Sequence, residues 1–170
     1  MAESPPLRAD PIAEAARQWE AHGWADAALG MSVVTSVARA QQLLSSRVDH
    51  ALEPFGITFA RYEILALLSF TRTGALPIGK VGERLQVHGT SVTSAVERLE
   101  RQGLVQRRRH PDDGRAVLVD ITAAGRQVVA DATPVLNEAV FASIELTESQ
   151  QQQLYKTLRS LRRAAGDFEQ

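Results

Sequence analysis

Between Thr90 and Ile121 the period of the apolar residues changes, and this change restricts the possible folds more than any other feature of the chain. Val92, Val96 and Leu99 recur at helical spacing, and Gly103 follows as a helix stop. "LVQRRR" and "AVLVDI" then read as strands, with Val117, Val119 and Ile121 expected on one covered face. Between them lies "HPDDG", whose proline and glycine mark a turn. A helix that stops at a glycine and runs straight into a charged hairpin fits few architectures.

The segment before it narrows them further. "IGKVGERLQ" places Ile78, Val81 and Leu85 at helical spacing, and "VHG" separates it from "TSVTSAVERLERQG". The order is helix, short turn, helix, hairpin. In the second helix Val92, Val96 and Leu99 bury, which turns Thr90, Ser91, Thr93, Ser94 and Arg98 outward. An α-helix fits the major groove of B-DNA, and residues near its N-terminus reach the base edges. Short hydroxyl side chains allow close approach there, and the helix N-terminus favours a phosphate. A hydroxyl-rich helix start is also ordinary capping chemistry. The basic hairpin that follows distinguishes the two, because its tip can lie along the backbone and place an arginine in the adjacent minor groove.

Charge supports the same reading by its distribution. The formal net charge of the 170 residues is −1, but six arginines stand against three carboxylates between Arg98 and Arg115. A focused basic stretch matters more for a polyanionic partner than the sum over the chain.

The flanks are helical. Asp10 and Pro11 open a short helix that Gly23 ends. A long helix is expected from about Leu29 to Glu53. Its Val33, Val34, Val37, Leu43, Leu44, Val48 and Leu52 spread over more than one stripe, which points to burial on two sides and hence to a subunit interface. Thr58 is placed to cap "FARYEILALLSF". Thr122 is placed to cap a helix reaching about Ser143 and bent at Pro134. Thr147 and Gln150 have capping-box spacing before a last helix carrying Leu154, Leu158 and Leu161.

Residues 83–125, "ERLQVHGTSVTSAVERLERQGLVQRRRHPDDGRAVLVDITAAG", resemble the winged helix-turn-helix core of the MarR family of transcriptional regulators. The likeness rests on "VTSAVERLERQGLVQR", on Asp113-Gly114-Arg115 and on "ITAAG", in that order, and it extends more loosely over both flanks. It implies that Arg115 is the wing-tip arginine that enters the minor groove and that Asp113 orients the wing through an ion pair. It places Thr90, Ser91, Thr93, Ser94 and Arg98 on the recognition helix, with His88 in the turn before it. Arg107, Arg108 and Arg109 become phosphate contacts on the wing strand, setting affinity and salt dependence more than sequence choice.

A branch of that family senses aromatic metabolites through a tryptophan on an extra N-terminal helix. Trp19 and Trp24 stand where such a residue would, and with Tyr62 and Glu63 they form the candidate ligand set. The branch also uses an arginine within the recognition helix, where this chain has Ala95. Packing of the N-terminal helix is the competing role for both tryptophans.

Other chemistries find little support. Asp49, His50 and Glu53 share one helical turn, but no further His or Cys cluster accompanies them, so solvated charge is expected and no metal. There are no cysteines, no phosphate-binding glycine loop, and no catalytic triad or metalloprotease motif. Neither an enzyme nor a cofactor is expected. No apolar run reaches the roughly 20 residues of a membrane span, and "MAESPPLRADP" lacks the apolar segment of a secretory signal, so a cytoplasmic location is expected.

These readings combine into a mainly α fold with one small β-hairpin, a winged helix-turn-helix core flanked by dimerisation helices. Residues 1–28 form an N-terminal extension with a short helix. Residues 29–56 and 123–170 form the helical dimerisation region, and 57–122 the DNA-binding region, interleaved as one domain. The expected function is that of a homodimeric regulator binding a pseudo-palindromic double-stranded operator, a repressor released by a small aromatic or phenolic effector. The alternative is a winged-helix interaction module that docks an acidic protein partner without binding DNA.

Overall fold

The computed structural model describes residues 7–111 and 116–169. Seven helices and three short strands follow in the order α1 (Pro11–Ala21), α2 (Ala25–Leu52), α3 (Phe59–Ser69), β1 (Ala75–Pro77), α4 (Ile78–Leu85), α5 (Gly89–Arg101), β2 (Val105–Arg109), β3 (Val117–Ile121), α6 (Ala123–Leu136) and α7 (Glu148–Ala164). A 3-10 turn at Glu53–Phe55 closes α2, and a π turn at Asn137–Phe141 continues α6.

Local signals set most boundaries. The Asp10 carboxylate accepts the Ile12 N–H at the start of α1, and Thr122 Oγ1 accepts that of Gly125 at the start of α6. Thr147 and Gln150 form the full capping box at the start of α7. Thr58 is the N-cap of α3 by position alone, because its side chain makes no capping bond. The long helix begins at Ala25, four residues before the expected Leu29, since the chain re-enters helix directly after the left-handed Gly23. Beyond Pro134 the backbone widens, and Ala142 N–H donates five residues back to Asn137 O.

The sheet has one strand more than the hairpin read from sequence. β3 is central, pairing antiparallel with β2 (Arg107 opposite Val119) and with β1 (Leu76 opposite Val119). The expected alternation on β3 holds only in part. Val119 and Ile121 are buried, Val117 is exposed, and Leu118 is buried too.

One apolar core links the end of α2 (Val48, Leu52) with α3 (Ile64, Leu65, Leu68), α4 (Val81), α5 (Val92, Val96, Leu99), the sheet (Val105, Val119) and α6 (Ala132, Leu136). Each fully buried leucine or isoleucine contributes about 2 kcal/mol of transfer free energy. Gly125 exists for this packing: a Cβ there would lie 2.2 Å from Leu104 O. Outside the core the pattern reverses. α7 has no buried residue, and Leu29, Val33, Val34 and Val37 of α2 are all exposed.

Candidate nucleic-acid interface

The face that α5 turns away from the core begins at His88, its N-cap. His88 Nδ1 accepts the Thr90 N–H at 3.4 Å, which leaves the rest of the first turn open. Thr90, Ser91, Thr93, Ser94 and Arg98 are all exposed, as the burial of Val92, Val96 and Leu99 requires. They differ in availability. Thr93 Oγ1 donates to Gly89 O at 3.0 Å, so that hydroxyl is already engaged. Thr90, Ser91, Ser94 and Arg98 line an open cleft of about 400 Å³, closed on its other side by Thr58 and Arg61 from α3.

Arg61 is the residue sequence reasoning missed. On α3 alone it is one more polar position, and only the packing of α3 against α5 brings it to Arg98. Its Nη1 donates to Gln102 Oε1 at 3.0 Å and to Gly56 O at 3.3 Å. Burial, and then the positive charge of Arg98, make it a weaker base than an ordinary arginine.

Sequence treated Arg107, Arg108 and Arg109 alike; the structure distinguishes them. Glu100 on α5 accepts both the Arg107 backbone N–H at 3.0 Å and its Nε at 2.7 Å, and Glu97 lies 3.7 Å away. The guanidinium hydrogen bond, followed by that of the backbone N–H, holds the Glu100 carboxyl below the usual range. The same bond raises the already high pKa of Arg107. Arg107 therefore fastens β2 to α5. Arg108 pairs with Asp120 across the sheet, at 2.8 and 3.2 Å. Arg109, one strand position beyond, has no carboxylate partner among the described residues. Asp113 and Arg115, expected at the tip of the wing, lie outside the described residues.

The candidate ligand residues fall into two pairs. Trp19 and Trp24 meet edge to face with centroids 5.3 Å apart, and His22 stacks on Trp24. Tyr62 is buried on α3, its hydroxyl 2.9 Å from Thr133 Oγ1. Glu63 beside it is half-buried, and burial pushes its carboxyl up. Neither pair lines the cleft of α5. They also do not line a second, apolar cleft of about 440 Å³ bounded by Val37, Leu44 and Val48 of α2, Phe59 of α3, and Leu154 and Leu158 of α7. His50 lies 3.7 Å from Glu53, and no group of three metal-ligating side chains occurs among the described residues.

Comparison with known proteins bears on this arrangement. The model of the MarR family matches residues 55–116, which take in α3, α4, α5 and β2. Sco5413, a MarR family transcriptional regulator from Streptomyces coelicolor, is 47% identical. That match covers 83% of this chain and 98% of the other, with a TM-score of 0.75. Sco3205, a MarR family transcriptional regulator from the same organism solved in complex with DNA, is 26% identical over 78% of this chain and 84% of its own, with a TM-score of 0.69. The organic hydroperoxide resistance transcriptional regulator of Bacillus subtilis is 36% identical over 74 residues, which are 44% of this chain. The chain spans about half the length of the first curated relatives it matches. The likeness to Sco5413 covers most of both chains, and on it the chain belongs to the MarR family of transcriptional regulators, not to a family of enzymes.

Proposed function

We propose that this chain is a homodimeric, sequence-specific double-stranded DNA-binding regulator, a cytoplasmic repressor released by a small aromatic or phenolic ligand. The observation that carries the DNA-binding reading is the outer face of α5. It presents three available hydroxyls and Arg98 beside the cationic Arg61, and the next element is a strand of three consecutive arginines. Such a surface can insert in a major groove while the strand lies along the backbone. Arg115 and Asp113 keep their proposed roles at the wing tip, in the minor groove and in orienting the wing.

Dimerisation is supported by the unpartnered apolar side chains of α2 and α7, in residues 29–56 and 123–170, and residues 57–122 serve as the DNA-binding region. Leu29 is 77% exposed and Val34 70%. Carbon surface of this extent on two helices is uncommon on a monomer. Two copies joined through these helices would present two recognition helices to half-sites roughly 10 bp apart. An effector favouring one spacing of those helices would regulate binding. Trp19, Trp24, Tyr62 and Glu63 remain its proposed contacts, joined in a dimer rather than within one chain.

The test is selection of bound duplexes from a random pool, followed by anisotropy titrations of the selected site at rising salt. Binding should weaken steeply, as counterion release requires. Failure to enrich any duplex would leave the acidic-partner reading as the better one.

A further inference from the structure

The cleft between α3 and α5 holds two positive charges that no carboxylate of the described residues pairs. Arg61 and Arg98 both line it, and neither has a carboxylate partner among the described residues. Like charges facing one cleft raise each other's energy, and partial burial of Arg61 adds to that cost. An anion between them relieves both effects.

Arg61 is also fixed in place, unlike an ordinary surface arginine. Gln102, one residue past the end of α5, accepts from Arg61 and donates to Gly56 O at 3.0 Å, while Arg61 reaches the same carbonyl. Thr58 Oγ1 accepts from Arg61 Nε at 3.3 Å. A side chain of α3 is thereby braced against the far end of α5. Serine and threonine hydroxyls on the α5 side add neutral donors suited to phosphate oxygens, and a guanidinium matches that group in shape.

We propose that this cleft receives one backbone phosphate diester of duplex DNA, gripped by Arg61 and Arg98 together, and that Arg61 thereby sets the depth and tilt at which α5 enters the groove. This rests on the DNA-binding reading above. Arg61 is a positioning residue: it contacts the backbone and leaves the reading of bases to α5.

The experiment uses the full chain and a duplex that it selects from a random pool. Arg61→Gln should weaken binding about tenfold, the size of a lost charged hydrogen bond, with the rank order of selected sequences unchanged. Neutral methylphosphonate is then placed at each phosphate in turn. One position should weaken the parent but leave Arg61→Gln nearly unaffected, and Arg98→Gln should become insensitive at that same position. The Arg98 side chain makes no hydrogen bond among the described residues, so its variant preserves the test if Arg61→Gln unfolds. Equal sensitivity of parent and variants at every phosphate overturns the proposal while DNA binding stands. Displacement of the duplex by millimolar inorganic phosphate at fixed ionic strength would assign the cleft to free anions, and overturns it too. A parent chain that binds no duplex removes the underlying reading as well.

Discussion

Leu99 on α5 and Leu161 on α7 are both leucines on amphipathic helices, yet the first has no exposed surface and the second keeps 57% of its own. Around Leu99 the chain supplies the neighbours: α3, α4 and β2 pack against its helix, and Glu100 and Arg107 tie α5 to β2. Around Leu161 it supplies few, and Leu29, Val33, Val34 and Val37 of α2 stay exposed although α1 packs against that helix. The winged unit completes its own burial, whereas the helical arms hold apolar surface that this chain leaves exposed. In the dimer proposed above, this division would keep each DNA-binding face rigid while leaving the spacing of the two faces adjustable.

The largest expected effect tests the closed half. Leu99→Ala should destabilise the fold by about 3 kcal/mol in chemical denaturation, as transfer and cavity costs add. A loss under 1 kcal/mol would mean that the winged unit packs loosely. Gly125→Ala should cost about 2 to 3 kcal/mol, because the added carbon meets the backbone oxygen of Leu104 rather than a side chain that can turn aside. In the arms, Leu161→Asp should change the unfolding of the dissociated chain by less than about 0.5 kcal/mol while weakening self-association at least tenfold in sedimentation. Equal effects on both measurements would erase the contrast between the two regions.

A smaller effect concerns the link inside the winged unit. Glu100 has a depressed pKa, so the stability from its pair with Arg107 is present above the ordinary carboxylate value and lost as pH falls through the lowered one. Glu100→Gln should abolish that acid-side loss. It should also steepen the salt dependence of DNA binding by releasing Arg107; an unchanged slope means that Arg107 leaves Glu100 whenever DNA arrives. The smallest effect has the opposite sign. The raised pKa of Glu63 means that stability is full below its unfolded value and declines as pH rises through the folded one. Glu63→Gln should therefore raise stability at neutral pH, and the gain should vanish in a melt near pH 4.

The same division explains what was legible in the sequence. α5, its buried stripe and its outward hydroxyls follow from a period read within fourteen residues, and the caps at Asp10, Thr122 and Thr147 follow from contacts two or three residues away. β1 was not legible. Ala75 to Pro77 is too short for a period, and it becomes a strand only by pairing with Leu118 to Asp120, more than forty residues on. Val117, expected on the covered face, is exposed while Leu118 and Val119 beside it are both buried, because β3 is covered on both faces there and alternation gives no signal. Arg61 and the Arg107–Glu100 bond depend on how α3, α5 and β2 pack, and no pattern within one element encodes that.

The strand order carries one more consequence. β2 is an edge strand, its outer backbone groups unpaired by the sheet, and an open edge invites pairing with another molecule. Glu100 already occupies the Arg107 N–H, and Arg109 has no carboxylate partner among the described residues, so the strand that would hold DNA also opposes edge pairing between free copies. Replacing all three arginines with apolar residues would therefore remove a DNA contact and an edge protection at once, and lost DNA binding in such a variant would have to be separated from lost solubility.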